Sequence, residues 1–222
     1  IPQLAIHLDR GVNDNGLKLN PQTHLVPIWA AGAAADGDLL ALLAGEAGVD
    51  PGDVLAFDLM LHDVQPPALL GEHQEFVSAP RIDNQLSCWA AVETLCDHAK
   101  TQPHHGAVVV ASLFDFEEVG SETATGAASA LLPTVLERIS HSLGGDRDSF
   151  HRALSRSICV STDGAHATHP NYAERHDPHH RIDLNGGPVI KVNSNARYAT
   201  DAETTAAFVL AAETAGVPTQ RF

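Results

Sequence analysis

Residues 106–116, GAVVVASLFDF, limit what this chain can fold into more than any other segment. The run is apolar almost without a break, so it has no polar face to turn to water. A strand of this kind must be covered on both sides, which demands a layered structure. Directly after it stand two adjacent glutamates, Glu117 and Glu118, in the run FDFEEVGS.

The rest of the chain supplies layers for such a strand. LAIHL (4–8) reads as a short strand and NDNG (13–16) as a turn. Asp36 is placed to cap a helix that Gly48 ends. In VLAFDLMLHDV (54–64), Leu55, Phe57, Leu59 and Leu61 alternate with Asp58 and His62, which predicts a strand. QPPALLG (65–71) marks a junction, because proline breaks both helix and ladder. It divides the chain into residues 1–64 and 65–222.

Beyond the junction, Asn84 is placed to cap a helix over 85–99, with Trp89, Val92, Leu95 and Cys96 on one face. TGAASALLPTVLERI (125–139) is helical apart from its proline, and 142–157 reads as a loop plus a short helix. SICVSTD (157–163) is a second buried strand, ending on Asp163, and PVIKVN (188–193) reads as a further strand. Residues 200–216 form a helix capped by Thr200 or Asp201 and closed by Gly216. Strands alternating with helices indicate an α/β fold. Ile1-Pro2-Gln3 opens directly into strand-like sequence and VPTQRF stops on it, so the chain reads as a piece of a longer one.

Composition narrows the function. The 222 residues carry a formal net charge of −15, which argues against nucleic acid, since phosphate binding needs a basic surface. No apolar run reaches the roughly 18 residues that span a bilayer, and no signal peptide is read at the start. Cys88, Cys96 and Cys159 lack CxxC spacing and are too few for a disulfide framework, so the expected setting is a reducing, cytoplasmic one. The fourteen histidines include polar clusters at His104-His105 and His176 to His180, which read as solvated loops.

The chemistry gathers at strand ends. Glu117-Glu118 and Asp163 follow buried strands, and Asp83 precedes a helix. In α/β sheets, ligands bind beyond the carboxyl ends of strands. Carboxylates collected there repel one another unless a counter-charge is present, and a divalent metal supplies it. Taken singly, each acid has the plainer role of capping a helix or pairing with an arginine. Two adjacent glutamates point in different directions, so one can bind metal while the other holds a water as general base. His166 and His169, in DGAHATHPNY (163–172), could bind metal, orient a substrate or stabilise an oxyanion; the alternative is a solvated loop.

RIDNQLSC (81–88), FDFEEVGS (114–121), DGAHATHPNYAERH (163–176) and GPVIKVNSNARYAT (187–200) resemble, in order and rough spacing, the aspartyl aminopeptidase family of zinc peptidases. LAIHLDRGVN (4–13) resembles the end of that family's dimerisation domain. The resemblance covers essentially the whole chain. It implies an α/β fold in which a central mixed sheet is flanked by helices, in residues 65–222, preceded over 1–64 by the tail of a β-rich dimerisation domain.

The resemblance also implies roles. Asp83 is similar to the carboxylate that bridges two zinc ions, Glu118 and Asp163 to terminal ligands, and Glu117 to the general base. His169 resembles a histidine near the scissile carbonyl, with His166 beside it at the substrate. Lys191 and Tyr198 resemble residues lining the pocket for an acidic N-terminal side chain. His7 resembles a histidine that reaches the neighbouring subunit's active site, so a homo-oligomer built from dimers is implied. The implied reaction removes N-terminal Asp or Glu from peptides, with two divalent ions, most simply zinc. Two further histidine ligands of the family lie in blocks absent from this sequence. Phe116 stands where relatives more often have a polar residue. Two other readings remain: an inactive structural or oligomerising protein, and a dinuclear amidohydrolase of other specificity.

Overall fold

The computed structural model describes residues 3–32, 37–101 and 106–222. Ile1, Pro2, Asp36, His104 and His105 lie outside the described residues. The chain divides into two units, Ile1–Val64 and Gln65–Phe222.

The first unit holds α1 (Val12–Asn15), α2 (Pro21–His24) and α3 (Leu39–Ala47). Asp38 caps α3, its carboxylate accepting from the Leu40 amide at 2.9 Å, and Gly48 closes it in the left-handed region at φ 70°. LAIHL forms turns where a strand was expected: the Leu8 amide donates to the Ala5 carbonyl and that of Asp9 to Ile6. Residues 54–64 run without ladder partners, and Leu55 is 93 % exposed. Their alternation marks one apolar face, but a strand also needs a neighbour to take its backbone hydrogen bonds.

The second unit opens with an antiparallel hairpin of β1 (Ala68–Leu70) and β2 (Phe76–Ser78), with Leu69 opposite Val77. α4 (Ile82–Thr101) follows. α5 (Leu131–Ser142) and α6 (Arg147–Ser155) form a helical hairpin. α5 starts later than its sequence pattern predicts. The Ala128 amide donates to the Ser121 carbonyl, and a Cβ at Gly126 would run into that same oxygen, so 121–130 is a tight turn. Pro133 then falls in the first helical turn, where proline is tolerated.

The last elements are β3 (Val189–Ile190), α7 (Ala202–Thr214) and β4 (Gln220–Arg221). β3 and β4 pair in parallel, with α7 in the connection, as parallel pairing requires. Asp201 caps α7 through a reciprocal capping box with Thr204. Ile190 and Ala212, with Ile182, are among the few buried apolar residues of this unit.

The protein is therefore mixed α/β. Segments 106–114 and 157–163 are not in ladders, and Val108 and Ile158 stand 65 % and 71 % exposed. Apolar faces that the sequence marks for burial are thus bare among the described residues.

Candidate functional site

Asp83 sits where α4 is broken. Its backbone (φ −83°, ψ 113°) and that of Asn84 (φ −118°, ψ 27°) are non-helical, and the peptide between them is cis. Regular helix begins only after them, so Asp83 lies at the mouth of α4.

Three hydrogen bonds tie this end of α4 to residues 162–164. Asn84 donates from Nδ2 to the Thr162 carbonyl at 3.2 Å. Thr162 donates from Oγ1 to Ser87 Oγ at 2.9 Å. The Gly164 amide donates to Asp83 Oδ1 at 3.3 Å. Asn84 therefore spends its side chain on the neighbouring segment. A Cβ at Gly164 would stand 2.9 Å from Asp83 Cγ, so the absence of a side chain there lets the two segments close.

Lys191, just past β3, completes the group. Its Nζ donates to Asp163 Oδ2 at 2.7 Å and to the Gly164 carbonyl at 2.8 Å. The Lys191 hydrogen bond is the main reason that the Asp163 carboxyl is held below the usual carboxylate range; partial burial opposes it. The Tyr198 ring lies 5.9 Å from the same ammonium, at the edge of cation–π range. Asp83, Asp163, Lys191 and Tyr198, distant in sequence, are thus adjacent in space.

Glu117 and Glu118 lie on a short 3-10 turn, Glu117–Val119. Phe116 before it and Ser121 after it both have left-handed backbones, at φ 64° and φ 62°. The chain is thereby turned sharply, and the two glutamates are presented on a bend. Among the described residues no hydrogen bond joins either glutamate to the Asp83–Asp163 group. His166 is exposed in the loop after Asp163. His7 is exposed in the first unit.

His169 belongs to a separate braced loop. The Thr168 amide donates to the Ile182 carbonyl at 2.8 Å, and the Ile182 amide returns a bond to Thr168 Oγ1 at 3.2 Å. Within this clasp the His169 amide donates to His176 Nε2 at 3.1 Å, and the Asn171 amide donates to His169 Nδ1 at 3.1 Å. The rings of His169 and Tyr172 are 5.0 Å apart and tilted by 55°. His176 therefore braces this loop. The bond spans a loop whose closure no periodicity reveals. Gly164, Ser87 and Thr162 were also missed; the small residues at the end of the 157–163 strand were the available signal.

The donor chemistry suits a divalent metal only in part. Asp83 and Asp163 offer hard oxygen ligands on adjacent segments, and a cation, Lys191, already sits on one of them. Among the described residues, however, no three His, Cys, Asp or Glu side chains come together in a group that could hold a metal ion. The pair is a partial donor set. An open concavity of about 680 Å³ lined by residues of α7, with Val192 and Arg221, contains none of these acids and is read as an uncovered packing face.

The profile of the aminopeptidase I zinc metalloprotease family, M18, matches residues 1–222. A probable M18 family aminopeptidase 2 of Streptomyces coelicolor is 48 % identical over 223 residues, spanning 100 % of this chain and 52 % of that protein. Among solved structures, one in a cryo-electron microscopy study of the Ape4 and Nbr1 complex superposes with a TM-score of 0.89 at 37 % identity, covering 100 % of this chain and 46 % of the other. The mApe1 dodecamer of S. cerevisiae gives a TM-score of 0.72 at 32 % identity, covering 83 % of this chain and 42 % of the other. The chain spans about half the length of the curated relatives it matches.

Proposed function

The chain belongs to the aminopeptidase I zinc metalloprotease family, and from that premise we propose that it forms part of a metal-dependent aminopeptidase that removes N-terminal Asp or Glu from peptides. The observation that carries this reading is the Lys191 ammonium held between Asp163 and the Gly164 carbonyl beside Tyr198. An ammonium has three donors, and two are used here. The third suits the carboxylate of an acidic substrate side chain, in a protein otherwise strongly acidic.

Asp83, Glu118 and Asp163 are the proposed ligands, and Asp83 would be shared between two zinc ions. When bound, the ions supply Lewis acidity for the scissile carbonyl and an acidified water. Glu117 takes up the proton of the attacking water and delivers it to the leaving amine. His169 lies near the scissile carbonyl, His166 at the substrate, and Lys191 and Tyr198 line the acidic pocket. The partial donor set here requires Glu118 and further ligands to complete it.

Residues 1–64 are proposed as the end of a dimerisation domain, and 65–222 as the central part of the catalytic domain. His7 would serve a neighbouring subunit in a homo-oligomer built from dimers, a reading supported by the dodecameric relative. A reducing, cytoplasmic setting is proposed from the spacing and small number of the three cysteines, Cys88, Cys96 and Cys159. No helix among the described residues is long and apolar enough to cross a membrane.

The test is a metal and substrate assay on the natural full-length polypeptide. About two zinc ions per chain, with N-terminal Asp and Glu substrates cleaved far faster than Leu or Ala, supports the reading. Preference for Leu or Ala points to an amidohydrolase of other specificity. Absence of bound metal points to a structural, oligomerising protein.

A further inference from the structure

The loop that carries His169 fixes more than its position. The Asn171 amide points its hydrogen at His169 Nδ1, 3.1 Å away. That nitrogen must act as an acceptor, so the neutral ring carries its proton on Nε2. A ring in this tautomer offers a donor. Binding metal through Nε2 would shift the proton to Nδ1, where the Asn171 N–H already points, and service as a base through Nδ1 would forfeit that bond.

The second constraint comes from His176. Its Nε2 accepts from the His169 backbone amide at 3.1 Å, so His176 carries its own proton on Nδ1. Among the described residues the loop is also closed at its ends, where Thr168 meets the buried Ile182, by short turns from Tyr172 to His169, Arg175 to Tyr172 and His176 to Ala173, and by Asp177, whose carboxylate accepts from the His179 and His180 amides. The His169–His176 bond is the brace across its middle. The Tyr172 ring then packs beside the His169 ring and limits its rotation.

We infer that His176 is a positioning residue: it holds the His169 backbone so that His169, locked as its Nε2–H tautomer, serves as a hydrogen-bond donor and not as a metal ligand or base. This rests on the proposed placement of His169 near the scissile carbonyl. A donor aimed at an oxygen that gains negative charge in the transition state acts on kcat more than on KM.

The experiment uses the natural full-length, zinc-loaded polypeptide and an N-terminal Asp peptide. His176→Phe keeps a flat ring without the acceptor, and His176→Leu is a second non-accepting variant should the first fail to fold. His176→Gln restores an acceptor at the ε position. The expected result is a kcat lowered roughly 10- to 100-fold in the non-accepting variant, with KM and zinc content unchanged. Glutamine recovers kcat to within about threefold. Affinity for a phosphinate transition-state mimic falls in parallel with kcat. In the His169→Ala background, removing the His176 acceptor adds no further loss.

An unchanged kcat in the non-accepting variants overturns the inference, as does failure of glutamine to rescue or a full additional loss on top of His169→Ala. Failure of the underlying functional reading looks different, because the unaltered protein would then lack zinc or turnover from the start.

Discussion

Lys191 donates from Nζ to Asp163 Oδ2 at 2.7 Å, joining a strand-end lysine to an acid 28 positions earlier. The contact places a positive charge within the group of acids proposed to hold metal. It links the two halves of the proposed function, since one partner would bind metal and the other an acidic substrate.

Lys191→Met should therefore lower acidic selectivity. A charge-assisted hydrogen bond is worth about 1.5–3 kcal/mol, or roughly 10- to 150-fold in kcat/KM. The expected outcome is a loss of that size for N-terminal Asp and Glu peptides, with little change for Leu peptides. Equal losses on all four substrates would remove Lys191 from the acidic pocket.

Gly164→Ala tests the approach of Asp83 to the 162–164 segment. The backbone tolerates the change, but the new Cβ would stand 2.9 Å from Asp83 Cγ. Asp83 must then move away from Asp163. Zinc retention on dialysis and kcat/KM are both expected to fall, by about 10- to 100-fold, as when residues supporting a metal ligand are disturbed. Full retention of zinc and activity would show that this proximity has no functional weight.

Glu117→Gln separates base from ligand. The amide keeps the shape but cannot take a proton, so zinc content should hold while turnover drops by roughly 100- to 10,000-fold. Near-normal turnover would mean that another group is the base.

Phe116→Asn addresses the bend before the glutamates. Phe116 is left-handed at φ 64° and half-exposed. Asparagine visits that region more readily, so the change should stabilise by about 0.5–1 kcal/mol, or about 1–4 °C in Tm. A lower Tm would show that the exposed ring contributes more than the backbone strain costs.

Asp201 gives a pH dependence away from the metal site. The Thr204 hydroxyl, then its amide, hold the Asp201 carboxyl below its ordinary value. A carboxyl whose folded-state pKa is lowered contributes stability that is present above the ordinary carboxylate range. That stability is lost as pH falls through the lowered value. Asp201→Asn keeps a cap acceptor without a charge. Its Tm should lie below that of the unaltered protein at neutral pH and converge with it in acid; a gap independent of pH would rule out the charge as the source.

By itself the sequence determined the alternation of helix and strand patterns, the junction at 65–71, the capping of α7 by one of two candidate residues and the set of acids. Those are local properties: turn chemistry, caps and apolar period act over a few residues. Cap choice was settled by geometry at Asp201, because Thr200 and Asp201 could both serve and Asp201 presents its oxygen to the Thr204 amide. Segments 54–64, 106–116 and 157–163 were legible as apolar runs, yet a ladder depends on a partner that no pattern within the run names. Only the tertiary structure brought Asp83 to Asp163 and Lys191, opened the approach through Gly164 and set His176 under His169. Each of those relations spans a loop or crosses elements, and is fixed by chain closure and hydrogen-bond direction, which residue spacing does not encode.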